Sequence, residues 1–184
     1  MLWLIRHGET EWSLSGAHTG VTDIPLTSVG EEKARKLGAR LVDKDFALVL
    51  TSPLQRARHT CELAGLRQPV EVEPNLLEWN YGEYEGLKTS EIRQKVPGWF
   101  LFRDGVPGGE TIEQVAVRAR AVIARVADVK GDVALFAHGH ILRILTACWL
   151  DLPPQEAKRF ALSTASISTL GFEHEVRVIS QWNT

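Results

Sequence analysis

The stretch DVALFAHGHILRILTACWL, at residues 132–150, decides the fold. Its first part, Val133 to Ala137, is a short apolar run of the kind that forms a strand buried on both faces. The residues from His138 to Leu150 follow directly and are predicted to form a helix. A buried strand that leads into a helix is the repeating unit of a parallel sheet covered by helices.

The rest of the chain shows the same alternation of short apolar runs and amphipathic segments. Further strands are predicted at Leu2 to Ile5, Ala47 to Leu50, Val70 to Val72, Ser166 to Phe172 and Val176 to Trp182. Further helices are predicted at 27–42, 54–63 and 112–127. Thr111 and Gln114 have the spacing of a capping box at the start of the last of these. The sequence therefore predicts an α/β fold with three α/β/α layers, in which a mostly parallel sheet has an antiparallel edge.

The composition excludes several classes of function. A chain of 184 residues with 44% hydrophobic and 24% charged residues fits one domain, residues 1–184. Its net charge of -2 gives no electrostatic basis for binding nucleic acid or a membrane surface. No apolar stretch approaches the roughly 20 residues of a membrane span, and the N-terminal apolar run has no basic leader. We therefore expect a cytoplasmic protein, with Cys61 and Cys148 as reduced thiols in the core.

Charged residues follow three of the predicted strands. Arg6 and His7 come after the first strand, Arg56 after the second, and His138 and Gly139 after the third. The carboxyl ends of parallel strands meet at one edge of the sheet, where ligands of such folds bind. Two arginines at one site repel each other unless an anion lies between them, and a phosphoryl group can bridge two guanidinium groups. These residues predict an anion site.

Four motifs carry a resemblance to a known family. They are LIRHGETEW at 4–12, TSPLQRARHT at 51–60, LLEWNYGEYEG at 76–86 and FAHGHILR at 136–143. In this order they resemble the motifs of the histidine phosphatase superfamily, also called the phosphoglycerate mutase-like family. The resemblance covers most of the chain. It implies the phosphoglycerate mutase-like fold and a phosphatase that needs no cofactor or metal.

The resemblance also implies a role for each residue of the predicted site. His7 would attack phosphorus and become phosphorylated, while its other ring nitrogen donates to a backbone carbonyl. Arg6, Arg56 and His138 would hold the phosphoryl oxygens in the transition state. Glu78 would protonate the leaving oxygen and then accept a proton from the water that hydrolyses the phosphohistidine.

The aromatic residues around Glu78 lead to a further expectation. Trp79, Tyr81 and Tyr84 follow it closely and could desolvate its carboxyl group. Desolvation disfavours the charged form of a carboxyl group, so we expect a raised pKa, as a general acid requires.

Contacts to the substrate are implied at five more positions. Ser13 lies where many relatives have asparagine, and its hydroxyl group could donate to phosphate. Thr19 and Gly20 match a loop that contacts substrate in the family. Tyr81 and Gly139 belong to the third and fourth motifs and are expected beside the phosphate.

Several residues allow more than one interpretation. His140 fits a pocket and the surface of a helix equally well. We interpret His18, His59 and His174 as solvated or structural groups. The aromatic residues of the WFLF segment, at 99–102, are either core or an apolar lid, and we favour a lid.

The lengths of the segments between and after the motifs distinguish the mutases of the family from its phosphatases. Mutases of the family have a longer segment after the third motif and a longer C-terminal tail than this chain, which favours hydrolysis here. The first and third motifs are similar to those of small bacterial acid phosphatases and fungal sedoheptulose bisphosphatases. We therefore expect phosphate monoesters of small metabolites, above all sugar phosphates, as substrates, with a phosphoglycerate mutase as the alternative.

Two other classes of function and one property remain open. A zinc hydrolase would use His7, His138, His140 and Glu78, but no metal-binding spacing supports it. A non-catalytic module would keep the phosphate pocket without the chemistry. The sequence leaves the oligomeric state open and allows a homodimer.

Overall fold

A computed structural model describes residues 1–184 and contains one sheet of six strands. The strands are β1 (Leu2–Arg6), β2 (Phe46–Thr51), β3 (Val70–Val72), β4 (Asp132–Ala137), β5 (Ile167–Glu173) and β6 (Val176–Gln181). Their order in the sheet is β3-β2-β4-β1-β5-β6. The first four pair in parallel, whereas β5 pairs antiparallel with β1 and with β6. The predicted parallel sheet with an antiparallel edge is confirmed.

Seven α-helices surround the sheet. They are α1 (Glu11–Ser15), α2 (Ser28–Leu41), α3 (Gln55–Ala64), α4 (Thr89–Lys95), α5 (Leu101–Asp104), α6 (Ile112–Val126) and α7 (Gly139–Trp149). The four longest were predicted, and the short helices α1, α4 and α5 were not. A helix of two turns or fewer is too short to show an apolar repeat, so periodicity does not reveal it. None of these helices combines the length and apolar character needed to cross a membrane.

The predicted capping box at the start of α6 is present. The Thr111 hydroxyl accepts from the Gln114 backbone nitrogen at 3.2 Å, and the Gln114 side chain accepts from the Thr111 backbone nitrogen at 2.8 Å. These reciprocal bonds satisfy N–H groups that have no partner within the helix. The helix therefore begins where the sequence indicates.

The apolar core lies on both faces of the sheet. Consecutive residues of β4 alternate between the faces, as the pleat of a strand requires. Leu135 belongs to the larger cluster, beneath α6 and α7, whereas Ala134 and Phe136 belong to the smaller one, beneath α2 and α3. The two cysteines are free and buried, Cys61 in the smaller cluster and Cys148 in the larger, as predicted.

Pairing across β4 places the ends of three strands at one edge of the sheet. Arg6 of β1 lies opposite Ala137, and Thr51 of β2 lies opposite Phe136. Hydrogen bonds continue one residue past the strands, since the His7 nitrogen donates to the Ala137 carbonyl at 3.0 Å. The residues that follow β1, β2 and β4 are thus brought together.

Candidate active site

A cavity of about 190 Å³ opens at this edge of the sheet, and we call it the phosphoryl cavity. Seven predicted site residues line it: Arg6, His7, Ser13, Thr19, Glu78, Tyr81 and Gly139. The other lining residues are Gly16, Ala17, His18, His140, Arg143 and Leu162. Arg56, His138 and Gly20 are not among the lining residues. A larger cavity of about 720 Å³, beside α5, contains none of the predicted catalytic residues.

His7 is buried and held in one tautomer. Its Nδ1 lies 2.6 Å from the Gly8 carbonyl oxygen, which can only accept, so Nδ1 carries the proton. Burial, reinforced by the charges of Arg6 and Arg56, lowers the pKa of His7 well below its usual value. The ring is therefore neutral, and its Nε2 has an available lone pair.

Arg6 lines the phosphoryl cavity, and one of its guanidinium nitrogens is buried without a partner. Its Nη1 donates to the Leu162 carbonyl, and its Nε is buried without a hydrogen-bond partner. The guanidinium group lies against the start of α7, where a Cβ added at Gly139 would be 3.4 Å from the Arg6 Cζ and Nε atoms. A buried donor without a partner is costly, so this site favours an oxyanion beside Arg6.

Arg56 is buried and organises the loop of residues 19–22. Its Nη2 donates to the carbonyls of Thr19 and Gly20 at 3.2 and 2.8 Å, and its Nη1 to that of Thr22 at 2.9 Å. From the opposite side, the Glu85 carboxylate accepts from the backbone nitrogens of Gly20 and Thr22 at 2.8 and 3.0 Å. The Gly20 backbone is therefore occupied by Arg56 and Glu85, and the loop is clamped between opposite charges.

His138 lies beneath the phosphoryl cavity with both ring nitrogens bonded to the protein. Its Nδ1 accepts from the Arg56 Nε at 3.1 Å, so its Nε2 carries the proton and donates to the Ser52 hydroxyl at 2.7 Å. Burial, followed by the charge of Arg56, lowers the pKa of His138 well below its usual value. The His7 and His138 rings are 5.1 Å apart, so His138 would reach a phosphoryl oxygen by releasing Ser52.

The side chain of Glu78 is 5% exposed, and its carboxylate caps the N-terminus of α7. One oxygen accepts from the backbone nitrogens of Trp79 and Ile141 at 3.0 and 2.9 Å, and the other from that of His140 at 2.9 Å. Negative charge is stabilised at the start of a helix by these N–H groups and by the helix dipole.

The predicted rise in the pKa of Glu78 is wrong. Burial alone would raise this pKa, but the hydrogen bonds that the carboxylate accepts, including that from the His140 backbone, outweigh burial and hold the pKa well below its usual value. The His140 ring Nδ1 is 3.8 Å from the carboxylate, so the backbone donors account for the bonding. The sequence pattern showed the aromatic neighbours but not these backbone N–H groups.

His140 belongs to the pocket, which settles the question that its sequence position left open. Its Nδ1 is 2.5 Å from the Tyr81 hydroxyl oxygen. Burial, then the charge of Glu78, raises the pKa of Tyr81 well above its usual value, so the phenol keeps its proton. Burial also lowers the pKa of His140, so the neutral ring accepts from Tyr81 at Nδ1 and carries a proton at Nε2.

His18 was interpreted as a solvated or structural group, but it lines the phosphoryl cavity. Its ring lies 4.9 Å from that of Tyr81, and its Nε2 is 3.3 Å from the Thr89 hydroxyl. Burial lowers the pKa of His18 to about 4, so its ring is neutral at pH 7. The signal for His18 was its place directly before Thr19, in a loop already assigned to the site. Arg143 was also missed, although it lies one helical turn after Gly139.

Two other expectations are altered by the structure. The Ser13 hydroxyl lies at the phosphoryl cavity but donates to the Thr10 carbonyl at 2.9 Å within α1, so it must rotate to reach an anion. Trp99 and Phe102 are buried in the larger core, at 3% and 5% exposure, and the Trp99 ring nitrogen donates to the Gly105 carbonyl. The predicted apolar lid is therefore wrong for these two residues; Phe100 is exposed.

The residues of the chain contain no group of three or more His, Cys, Asp or Glu side chains placed to hold a metal ion. In the set considered for zinc, both nitrogens of His138 are bonded to Arg56 and Ser52. The Glu78 carboxylate is likewise bonded to backbone N–H groups. The geometry favours an anion at this site.

The class of protein follows from this site and from family comparison. Residues 2–184 match the histidine phosphatase superfamily (branch 1), and the chain belongs to that family. It is a phosphoric monoester hydrolase of the superfamily.

Individual relatives fit this assignment. The chain is 43% identical to an acid phosphatase of Mycobacterium tuberculosis, over 97% of this chain and 90% of the relative. It is 36% identical to the sedoheptulose 1,7-bisphosphatase of Saccharomyces cerevisiae, over 83% of this chain and 68% of the relative. A solved structure of a Mycobacterium tuberculosis protein superposes with a TM-score of 0.94 at 41% identity, covering 99% of this chain and 96% of that one.

Proposed function

We propose that the protein hydrolyses phosphate monoesters of small sugar phosphates and related metabolites through a phosphohistidine at His7. The observation that carries this proposal is the state of His7. Its ring is neutral, its Nδ1–H is fixed on the Gly8 carbonyl at 2.6 Å, and its Nε2 faces a cavity that Arg6 also lines. An oriented, uncharged imidazole beside a guanidinium group is suited to attack a phosphoryl group.

In the first step, the His7 Nε2 forms a bond to phosphorus while the bond from phosphorus to the ester oxygen breaks. Negative charge on the transferring group is stabilised by the guanidinium group of Arg6, which lines the cavity. The backbone N–H of Gly139, at the start of α7, has no acceptor within the chain and is a second donor. Arg56 and His138 are buried, bond to each other and hold the surrounding structure of this site in place.

The proton for the leaving oxygen passes through Glu78. The free carboxyl group is ionised, but a phosphate anion bound beside it raises its pKa, because like charges disfavour each other. A substrate that binds as the monoanion brings the proton, which Glu78 then delivers to the leaving oxygen. In the second step, the carboxylate accepts a proton from the water that attacks the phosphohistidine, and inorganic phosphate leaves.

Small polar substrates are supported by the shape and lining of the phosphoryl cavity. Its volume of about 190 Å³ accommodates a phosphoryl group and a few further atoms. Hydroxyl groups and neutral imidazoles, at Ser13, Thr19, Tyr81, His18 and His140, can bond to sugar hydroxyls. The similarity to a sedoheptulose bisphosphatase supports the same class of substrate.

A panel of phosphometabolites tests the substrate class. Phosphate release is measured for sugar phosphates, nucleotides, phosphoamino acids and p-nitrophenyl phosphate at equal concentrations. We expect the highest kcat/KM values among the sugar phosphates. Higher values throughout the nucleotides or phosphoamino acids would contradict the proposed substrate class.

A further inference from the structure

A second cavity, of about 210 Å³, adjoins the phosphoryl cavity. Three residues line both cavities: His18, His140 and Arg143. The second cavity extends to α4, which contributes Thr89 and Arg93. We call it the distal cavity, because the shared residues separate it from His7. A leaving group attached to a phosphate at His7 can extend towards it past the two histidines.

The distal cavity carries positive charge without a balancing carboxylate. Arg93 and Arg143 both line it, and none of its lining residues is Asp or Glu. Neither arginine forms an ion pair with the protein. Two guanidinium groups at one cavity are best satisfied by an anion that both can contact.

Both arginines are held in place by bonds that leave donors available. The Arg143 Nε and Nη2 donate to the carbonyls of Ala157 and Lys158 at 3.1 and 3.3 Å, and its guanidinium group stacks on the Phe102 ring at 4.8 Å. The Arg93 Nε donates to the Trp99 carbonyl at 2.9 Å. The Nη1 of Arg143 and both terminal nitrogens of Arg93 have no partner within the chain. Arg143 is half-buried and Arg93 is exposed, and these donors are available to a ligand.

Two of the three residues that line both cavities, His18 and His140, are polar and uncharged. Burial lowers the pKa values of His18 and His140, so both rings are neutral at pH 7. The rings lie 6.4 Å apart and can bond to the hydroxyl groups of a substrate without repelling the nearby arginines. The molecule thus offers an anion site at His7, a neutral polar passage and a second anion site at Arg93 and Arg143.

We propose that the distal cavity binds a second anionic group on the leaving portion of the substrate. The enzyme then prefers sugar bisphosphates, and sugar phosphates with an acidic group at the far end, over monoesters with an uncharged leaving group. This inference rests on the proposed function, because it requires the scissile phosphate to lie at His7.

The test compares two sugar phosphates that share the C1 ester but differ in the distal group, together with an aryl ester as a reference. Fructose 1,6-bisphosphate carries a distal phosphate, fructose 1-phosphate does not, and p-nitrophenyl phosphate has no sugar. Arg93→Gln removes a charge from the distal cavity only. We expect its kcat/KM to fall about tenfold for the bisphosphate, through loss of charged hydrogen bonds, and to change less than about twofold for the other two.

Lys95→Gln is the matched control, because it removes the same charge from the same helix at an exposed residue outside the cavity. It should leave all three rates near those of the unaltered enzyme. Equal losses on all substrates in Arg93→Gln, or an unaltered enzyme with no preference for the bisphosphate, would overturn the distal anion site while the phosphatase mechanism stands. If the unaltered protein released no phosphate from p-nitrophenyl phosphate, the proposed function itself would fall.

Discussion

The carboxylate of Glu78 lies 2.9 Å from the backbone nitrogen of His140 and accepts a hydrogen bond from it. This bond ties the segment after β3 to the first turn of α7, which also carries Gly139 and Arg143. The carboxyl group is therefore fixed beside the phosphoryl cavity but is ionised in the free enzyme. In the proposed mechanism, proton transfer by this group therefore requires a proton that arrives with the substrate.

Replacing the carboxyl group tests its role as proton donor. Glu78→Gln keeps the shape and one acceptor oxygen but removes the transferable proton, so esters with poor leaving groups should slow by roughly 100-fold. p-Nitrophenyl phosphate should slow far less, because its leaving group needs little protonation. Steady-state kinetics on fructose 1-phosphate and p-nitrophenyl phosphate measure the two effects. Equal slowing of both substrates would argue against a proton-donor role.

Acid should destabilise the fold through His18. Its pKa is lowered to about 4 in the folded state, against about 6.5 when unfolded. Between these values the unfolded chain binds a proton that the folded protein does not, so stability is lost as pH falls from about 6.5 towards 4. His18→Gln should show a smaller fall in Tm over this range, by thermal unfolding at several pH values.

His174→Gln is the matched control for this measurement, because it removes a histidine at an exposed turn. The same reduction in pH dependence for both variants would show that burial of His18 is not the cause.

Removing Glu85 should release the clamped loop of residues 19–22. Its carboxylate accepts hydrogen bonds from the backbone N–H groups of Gly20 and Thr22, and Glu85→Ala leaves both N–H groups without this partner. We expect kcat/KM to fall on the order of tenfold and Tm to drop, because such buried donors each cost about 1–3 kcal/mol. Glu85→Gln keeps one acceptor oxygen, so its kcat/KM and Tm should lie between those of Glu85→Ala and those of the unaltered enzyme. Glu83→Ala, at an exposed residue, should match the unaltered enzyme. Unchanged kinetics in Glu85→Ala would contradict the clamp.

The motifs and the ends of the predicted strands predicted much of this site. The features that they did not predict depend on hydrogen bonds to backbone groups. Arg6 ends β1, and His7 and His138 directly follow β1 and β4, which pair in parallel, so a parallel sheet was enough to bring them together. The ionised state of Glu78 depends on N–H groups at the start of α7, which carry no side-chain signal. Arg56 likewise bonds to loop carbonyls, and such bonds cannot be seen in a pattern of residue types.

Hydrolysis should exceed transfer to a second substrate. The His140 side chain in the wall of the phosphoryl cavity is 20% exposed, and we expect water to enter the cavity on this side. With 3-phosphoglycerate and a 2,3-bisphosphoglycerate primer, phosphate release should be faster than formation of 2-phosphoglycerate. Faster formation of 2-phosphoglycerate would instead indicate a phosphoglycerate mutase.

The most direct measurement is the site of phosphorylation during turnover. The enzyme is mixed with p-nitrophenyl phosphate, quenched in base within milliseconds and digested for mass spectrometry. We expect a base-stable, acid-labile phosphoryl group on His7, and neither label nor activity in His7→Gln. Full activity of His7→Gln, or a phosphoryl group on a different residue, would contradict the mechanism.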